Sequence, residues 1–195
     1  MKVLILYGRA QSANGLELEE TSARLGHEVT SGSIMDVSSE ISNEASRFWL
    51  GRNEITDSDV CFIRSFGPGT CEQLTRRISM IEHMSFSGIH VVNPTYSLRR
   101  ARDKYSTQYA LSEAGLPIAT TYTTESMEMA YQRSREIGVS VYKPILSSMG
   151  KGSLRFDDPE IAHNAFKMLS RVGMPLIIQE YLENPGRDIR VFVVG

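Results

Sequence analysis

Residues 141–156 read VYKPILSSMGKGSLRF, and the fold is decided there. A short apolar strand, expected over Val139 to Pro144, runs into a Gly/Ser-rich loop from Ser147 to Gly152. The chain then returns as a strand in which Leu154 and Phe156 alternate with polar positions. Small residues and two glycines let backbone N–H groups approach an anion without a Cβ in the way, and Lys151 adds a positive charge. The pattern is not a Walker loop, because no helix-opening Lys-Ser/Thr follows at the required spacing. Nor is it the dinucleotide fingerprint, which needs a strand leading directly into a helix. Ser/Gly loops between strands are common, so the loop alone leaves an ordinary connection open beside phosphate binding.

Working outward, Lys143 continues the alternation of Val139 and Val141 and is expected to point to the same apolar face. A lysine aimed inward needs an anion or a carboxylate; a strand-end lysine that snorkels to water is the other reading. Downstream, Asp158-Pro159 marks a helix start, with Ile161, Ala165, Met168 and Leu169 expected on its buried side and Gly173 as its stop. A strand over Leu176 to Tyr181, a turn at Asn184-Pro185-Gly186 and a strand over Ile189 to Val194 follow. Carboxylates beside such a crossing can take ribose hydroxyls, strand backbone groups can pair with an adenine edge, and Arg190 offers a fork for phosphate or for an ion pair. Upstream, residues 97–114 predict one polar-rich helix stopped by Gly115 and Pro117, in which Lys104 is either a ligand or part of a solvated basic face. Met127, Ala130, Tyr131 and Ser134 share one face of a further helix. Strand–loop–strand, helix, strand–turn–strand describes an α+β unit with an antiparallel component.

Over roughly the first 95 residues the texture differs. Val3 to Tyr7 is an apolar strand closed by Gly8, followed by a helix to Leu25 and Gly26. Val60 to Ile63 is a second buried strand. Thr70 with Gln73 forms a capping box for a helix lined by Leu74, Ile78 and Ile81, and Ile89 to Val92 returns as a strand. Strands alternating with helices predict a parallel, helix-covered sheet.

Composition excludes several classes. The 195 residues carry 21 basic and 23 acidic side chains, interspersed, for a formal charge of −2, so there is no basic stripe for nucleic acid. The N-terminal apolar run is too short for a signal peptide, and no window approaches the ~20 apolar residues that span a bilayer. Cys61 and Cys71 have no paired spacing, which suits a reducing, cytoplasmic compartment rather than a disulfide. The four histidines, His27, His83, His90 and His163, are scattered and are expected to be structural or on the surface.

Taken together, RARDKYSTQYALSEAGLPIATTYTT (100–124), VYKPILSSMGKGSLRF (141–156) and IIQEYLENPGRDIRVFVVG (177–195) resemble the ATP-grasp fold of the RimK-like glutamate ligases. The likeness covers roughly residues 60 to 195. It implies an N-terminal parallel α/β pre-ATP-grasp domain over 1–96, an α+β nucleotide-binding lobe over 97–182, and the start of a C-terminal lobe over 183–195. It implies that Lys104 and Lys143 contact ATP phosphates and that Ser147, Ser148, Met149, Gly150, Lys151 and Gly152 fold over them. Glu180, Tyr181 and Leu182 would form the hinge at adenine, with Gln179 beside them among the cofactor-binding residues. Asp188 would take the ribose side, and Arg190 would face phosphate or the acyl intermediate as the catalytic residue. Leu146-Ser147 departs from the glycine that many relatives carry, and bulk there could stiffen the loop.

By the same likeness the reaction is ATP-dependent ligation of a carboxylate to an amino acid, glutamate being expected, through an acyl phosphate. Residues 64–69 and the following helix look most like archaeal members acting on a pterin or deazaflavin cofactor. The 183–190 turn looks equally like the lysine-biosynthesis type, and the ribosomal-protein-modifying type stays open. The family's Mg²⁺ ligands and acceptor-site arginines are expected beyond residue 195, so no metal ligand is assigned here. The apolar Val191 to Val194 at the very end points to a chain that continues, and this portion alone is expected not to turn over. A homo-oligomer is expected. A non-catalytic ATP-binding module, or one half of a split ligase, is the alternative.

Overall fold

The computed structural model describes residues 1–147, 150–184, 186, 187, 189 and 191. They divide into two units, Met1–Arg99 and Arg100–Gly195. The first holds β1 (Lys2–Tyr7), α1 (Ala13–Arg24), β2 (Glu28–Ser33), β3 (Val37–Ile41), β4 (Ser46–Leu50), β5 (Asn53–Glu54), β6 (Val60–Ile63), α2 (Cys71–Phe86) and β7 (His90–Val92), and α3 (Thr95–Arg102) follows. The parallel sheet expected here is present in the order β2-β1-β6-β7. Leu4, Ile5 and Leu6 at its centre are 0% exposed, because apolar layers cover both faces of a parallel sheet. The Thr70–Gln73 capping box forms as expected, and the buried stripe of α2 is Leu74, Arg77, Met80, Ile81 and Met84, with Ile78 half-buried.

A second, antiparallel sheet, β3-β4-β5, has no counterpart in the sequence reading. Four of the five residues of β3 are exposed, so it shows none of the alternation that marks a half-buried strand. Its Val37 pairs with Leu50, and both join Leu4, Ile34, Phe48 and Met84 in the core of this unit.

The single helix expected over 97–114 is two, α3 and a second that belongs to the second unit. α4 (Lys104–Glu113) starts afresh at Asp103, whose carboxylate accepts from the Tyr105 N–H at 2.9 Å and the Ser106 hydroxyl at 2.8 Å. An aspartate satisfies the open N–H groups of a helix start better than it continues a helix. β8 (Thr121–Thr124), α5 (Met127–Ile137), β9 (Ser140–Tyr142), β10 (Leu154–Phe156), α6 (Pro159–Arg171) and β11 (Leu176–Glu180) complete the described elements. The sheet is antiparallel throughout, in the order β10-β9-β11-β8. One of its faces packs Tyr142, Phe156, Leu176 and Ile178 against Ala130, Ala162 and Phe166 of the two helices.

Two expectations are corrected here. The buried stripe of α6 is Ala162, Ala165, Phe166 and Leu169, whereas Ile161 and Met168 are 61% and 70% exposed. Phe166, edge-on to Phe156 at 5.4 Å, anchors the helix and sets its rotation. In β9 the core face is the opposite of the one expected. Ser140 and Tyr142 are buried, while Val139 is 38% exposed and Val141 is half-buried. A buried serine is tolerated because its hydroxyl meets that of Ser134 at 2.7 Å. The strand expected over Ile189 to Val194 falls largely outside the described residues; Ile189 and Val191 are described and exposed.

Candidate functional site

Because the core takes Ser140 and Tyr142, the opposite face of the sheet carries Val141 and, next in alternation, Lys143. Residues paired across antiparallel strands share a face. Val141 pairs with Arg155 on one side and Gln179 on the other, so these side chains lie on the Lys143 face. The Lys143 N–H donates to the Ile177 carbonyl at 3.0 Å, holding the end of β9 against β11. Burial pulls the Lys143 ammonium below the ordinary lysine range.

Lys104 approaches from the start of α4. Its N–H donates to the Ile145 carbonyl at 3.3 Å, and its ammonium donates to the Ser147 carbonyl at 3.0 Å and the Ser147 hydroxyl at 2.8 Å. Its pKa is also lowered, first by burial and then by the charge of Lys143, with Asp103 opposing. Two cations thus stand close enough to repel one another at the entry to the loop. One turn along α4, the buried side-chain carbonyl of Gln108 has no hydrogen-bond partner among the described residues. The donor set suits a polyanion, which would compensate both ammoniums at once.

The loop turns back through a Ser153 N–H to Gly150 carbonyl bond of 3.1 Å. Gly152 has φ +76°, and a Cβ there would sit 3.0 Å from Pro144, so only glycine closes this turn without strain. Lys151 is exposed. Ser148 and Met149 of the expected loop, and the expected Asp188 and Arg190, lie outside the described residues.

At the far end of β11 the expected hinge is tied into the sheet. The Glu180 carboxylate accepts from the Thr120 N–H at 2.8 Å, and the Glu180 N–H donates to the Thr120 carbonyl at 3.1 Å. The Tyr181 N–H donates to Val139 at 3.0 Å, and the buried Gln179 amide donates to the Thr121 hydroxyl at 2.7 Å. Among the described residues the Leu182 N–H stays out of this network. Arg155 was missed by sequence reasoning. Its guanidinium lies 3.9 Å from the centroid of the Tyr181 ring and forks onto Asp157 at 2.6 and 3.1 Å. The alternation of 154–156 could have flagged Arg155 as lying opposite the core face, but nothing local names Tyr181 as its partner. The structure therefore brings Lys104 to Ser147 and into reach of the Lys143 charge, and sets residues 179–182 at the other end of the neighbouring strand. Among the described residues no group of three or more His, Cys, Asp or Glu could hold a metal ion.

No family model matches the chain. A Methanosarcina acetivorans protein named tetrahydromethanopterin:alpha-L-glutamate ligase is 34% identical over 173 residues, which are 83% of this chain and 53% of that protein. The chain spans about half the length of the tetrahydromethanopterin:alpha-L-glutamate ligases that it matches. Among solved structures, a RimK domain ATP-grasp protein from Sphaerobacter thermophilus superposes with a TM-score of 0.73 at 21% identity, covering 95% of this chain and 65% of that one. The ATP-grasp ligase PsnB, solved with a minimal precursor, Mg and ADP, gives 0.60 at 17% identity, covering 93% of this chain and 65% of that one.

Proposed function

We propose, from the premise that the chain belongs to the RimK-like glutamate-ligase family of ATP-grasp proteins, that it is the nucleotide-holding part of an ATP-dependent carboxylate–amine ligase. The observation that carries this reading is the Lys104 ammonium, which is bonded to Ser147 and feels the charge of Lys143. In such a reaction a substrate carboxylate attacks the γ-phosphorus of ATP, forming an acyl phosphate and releasing ADP. An amine then displaces phosphate and leaves an amide. The two lysines neutralise charge on the phosphates, and the chemistry is otherwise a matter of positioning. Leu182 N–H is the hinge group left to meet adenine, with Tyr181, held by Arg155, beside it.

Ser148 and Met149 complete the loop in this reading, Asp188 serves the ribose side, and Arg190 faces the transferred phosphoryl or the acyl intermediate. The relative's name supports glutamate as the amine and a pterin-type cofactor as the carboxylate bearer. The PsnB complex supports Mg²⁺ as the accompanying ion. The described residues do not by themselves fit it. The division into a pre-ATP-grasp domain over 1–96, a nucleotide lobe over 97–182 and a following lobe from 183 belongs to the same proposal, as do a cytoplasmic location and a homo-oligomer. Among the described residues no helix is long and apolar enough to cross a membrane. Ligase names among the relatives favour this reading over a non-catalytic module.

Calorimetric titration of ATP into this chain and its Lys143→Ala variant tests the proposal. Saturable binding that weakens about tenfold or more in the variant is expected. Absence of binding, or an affinity unchanged by the substitution, overturns it.

A further inference from the structure

The first unit contains a second cationic site, built wholly from its own residues. In the parallel sheet, the chain leaves β1 for β2 on one side and later crosses to β6 on the other. Connections thus depart in opposite directions between β1 and β6, and a crevice opens beyond the carboxyl ends of these strands, where open α/β sheets hold ligands. A cavity of about 400 Å³ lies here, lined by Arg9, Met35, Pro68, Gly69, Gln73, Arg76 and Arg77. That volume is in the range of small-molecule sites.

Its lining carries three arginines and no carboxylate. Arg77 is 5% exposed, and one of its nitrogens donates to the Phe66 and Pro68 carbonyls at 2.7 and 2.8 Å. Arg76 donates to the Val37 carbonyl at 2.9 Å, which fixes its side chain across the cavity wall. Among the described residues, none of the three pairs with an acidic side chain, whereas Arg133 and Arg155 pair with Glu136 and Asp157. Carbonyl dipoles hold the Arg76 and Arg77 guanidiniums in place without cancelling their charge. A nearly buried guanidinium without a counter-ion is unusual in a folded chain, because a buried charge is ordinarily paired.

Gly69 keeps the charge accessible. A Cβ there would lie 3.2 Å from both terminal nitrogens of Arg77 and 2.9 Å from the Gln73 side-chain oxygen. Arg9, exposed at the mouth, adds a third guanidinium, while Met35 and Pro68 supply apolar walls. We infer that this cavity binds a small organic oxyanion: carboxylate or phosphate groups paired with the arginines, and an apolar body against Met35 and Pro68. Planar guanidiniums match both kinds of oxyanion through paired N–H donors. The inference rests on the first unit alone and is independent of the nucleotide assignment in the second.

Nuclear magnetic resonance titration of the whole chain with glutarate and, separately, with inorganic phosphate tests it. Either probe should shift the amides of Gly69 and Gln73 and the Arg76 and Arg77 side-chain signals saturably. The probe that binds more tightly identifies carboxylate or phosphate as the preferred group. Arg9→Ala, at an exposed position, should weaken that binding about tenfold, and Arg9→Glu should abolish it. Lys143→Ala should leave it unchanged. Shifts that do not saturate, that chloride at matched ionic strength reproduces, or that persist undiminished in Arg9→Ala overturn the inference. If ATP fails to bind while an oxyanion saturates this cavity, the nucleotide reading falls and this one stands.

Discussion

Lys104 and Ser147 are 43 residues apart in sequence, and the lysine ammonium donates to both the carbonyl and the hydroxyl oxygen of the serine, at 3.0 and 2.8 Å. The start of α4 is thereby fastened to the root of the glycine-rich loop, and the same ammonium feels the charge of Lys143. In the proposed ligase this contact joins two roles, holding the loop root and meeting phosphate.

Removing that ammonium should therefore affect both. Lys104→Ala is expected to weaken ATP binding by roughly 10- to 100-fold, the worth of a charge-assisted hydrogen bond. Calorimetry gives the affinity. A backbone-amide shift at Ser147 in the ligand-free variant would report release of the loop root.

The two lysines should also leave a pH signature. Their folded-state pKa values lie below the ordinary 10.5, through burial first and, for Lys104, the neighbouring cation second. Between those lowered values and 10.5 the unfolded chain holds more protons than the folded one, so stability of the ligand-free protein gains from these groups as pH rises through that window. In the proposed site ATP meets both ammoniums in their charged form, so its affinity should fall over the same window. Thermal melts with and without nucleotide, compared with a Lys104→Met/Lys143→Met double variant that lacks both trends, check the sign.

The rotation of α6 can be tested by paired truncations. Phe166 is fully buried, and Phe166→Ala should cost about 3–5 kcal/mol in urea denaturation. Ile161 is 61% exposed, and Ile161→Ala should cost less than about 0.5 kcal/mol. The reverse order would mean that the helix presents the stripe expected from its apolar residues alone.

Tyr142 offers a gain rather than a loss. Its ring is 1% exposed, and its hydroxyl has no hydrogen-bond partner among the described residues. Burial raises its pKa, in keeping with a phenol kept neutral. Tyr142→Phe removes the unsatisfied group without opening a cavity and should stabilise the chain by about 1 kcal/mol. A lower urea midpoint for the variant would contradict this.

Much of the architecture follows from chemistry between near neighbours in the sequence, which is why it could be read directly. The Thr70–Gln73 box and the Asp158-Pro159 helix start depend on groups within a few residues of one another, and both form as expected. The apolar run at Val3 becomes a parallel strand buried on both faces, whereas the run at Val60 pairs in the same sheet but buries only Cys61 and Ile63. Lys104, Lys143 and the 147–152 loop are proposed as nucleotide ligands only because three motifs agree in order and spacing with a known family.

Tertiary structure decided which side of each element is the inside. Val139 and Val141 are more apolar than Ser140, yet the Ser134 hydroxyl makes burial of Ser140 inexpensive and Tyr142 fills the core, so Lys143 is carried to the other face. Ile161 and Met168 look like core residues until Phe166 takes the contact with Phe156. β3 pairs through Val37 and Leu50 with almost no local signal. The Lys104–Ser147 bridge, the Arg155–Tyr181 stack and the arginine-lined cavity all join residues distant along the chain. Local sequence sets what a segment can form; which partner it meets depends on packing between segments, and that is settled only when the whole core closes.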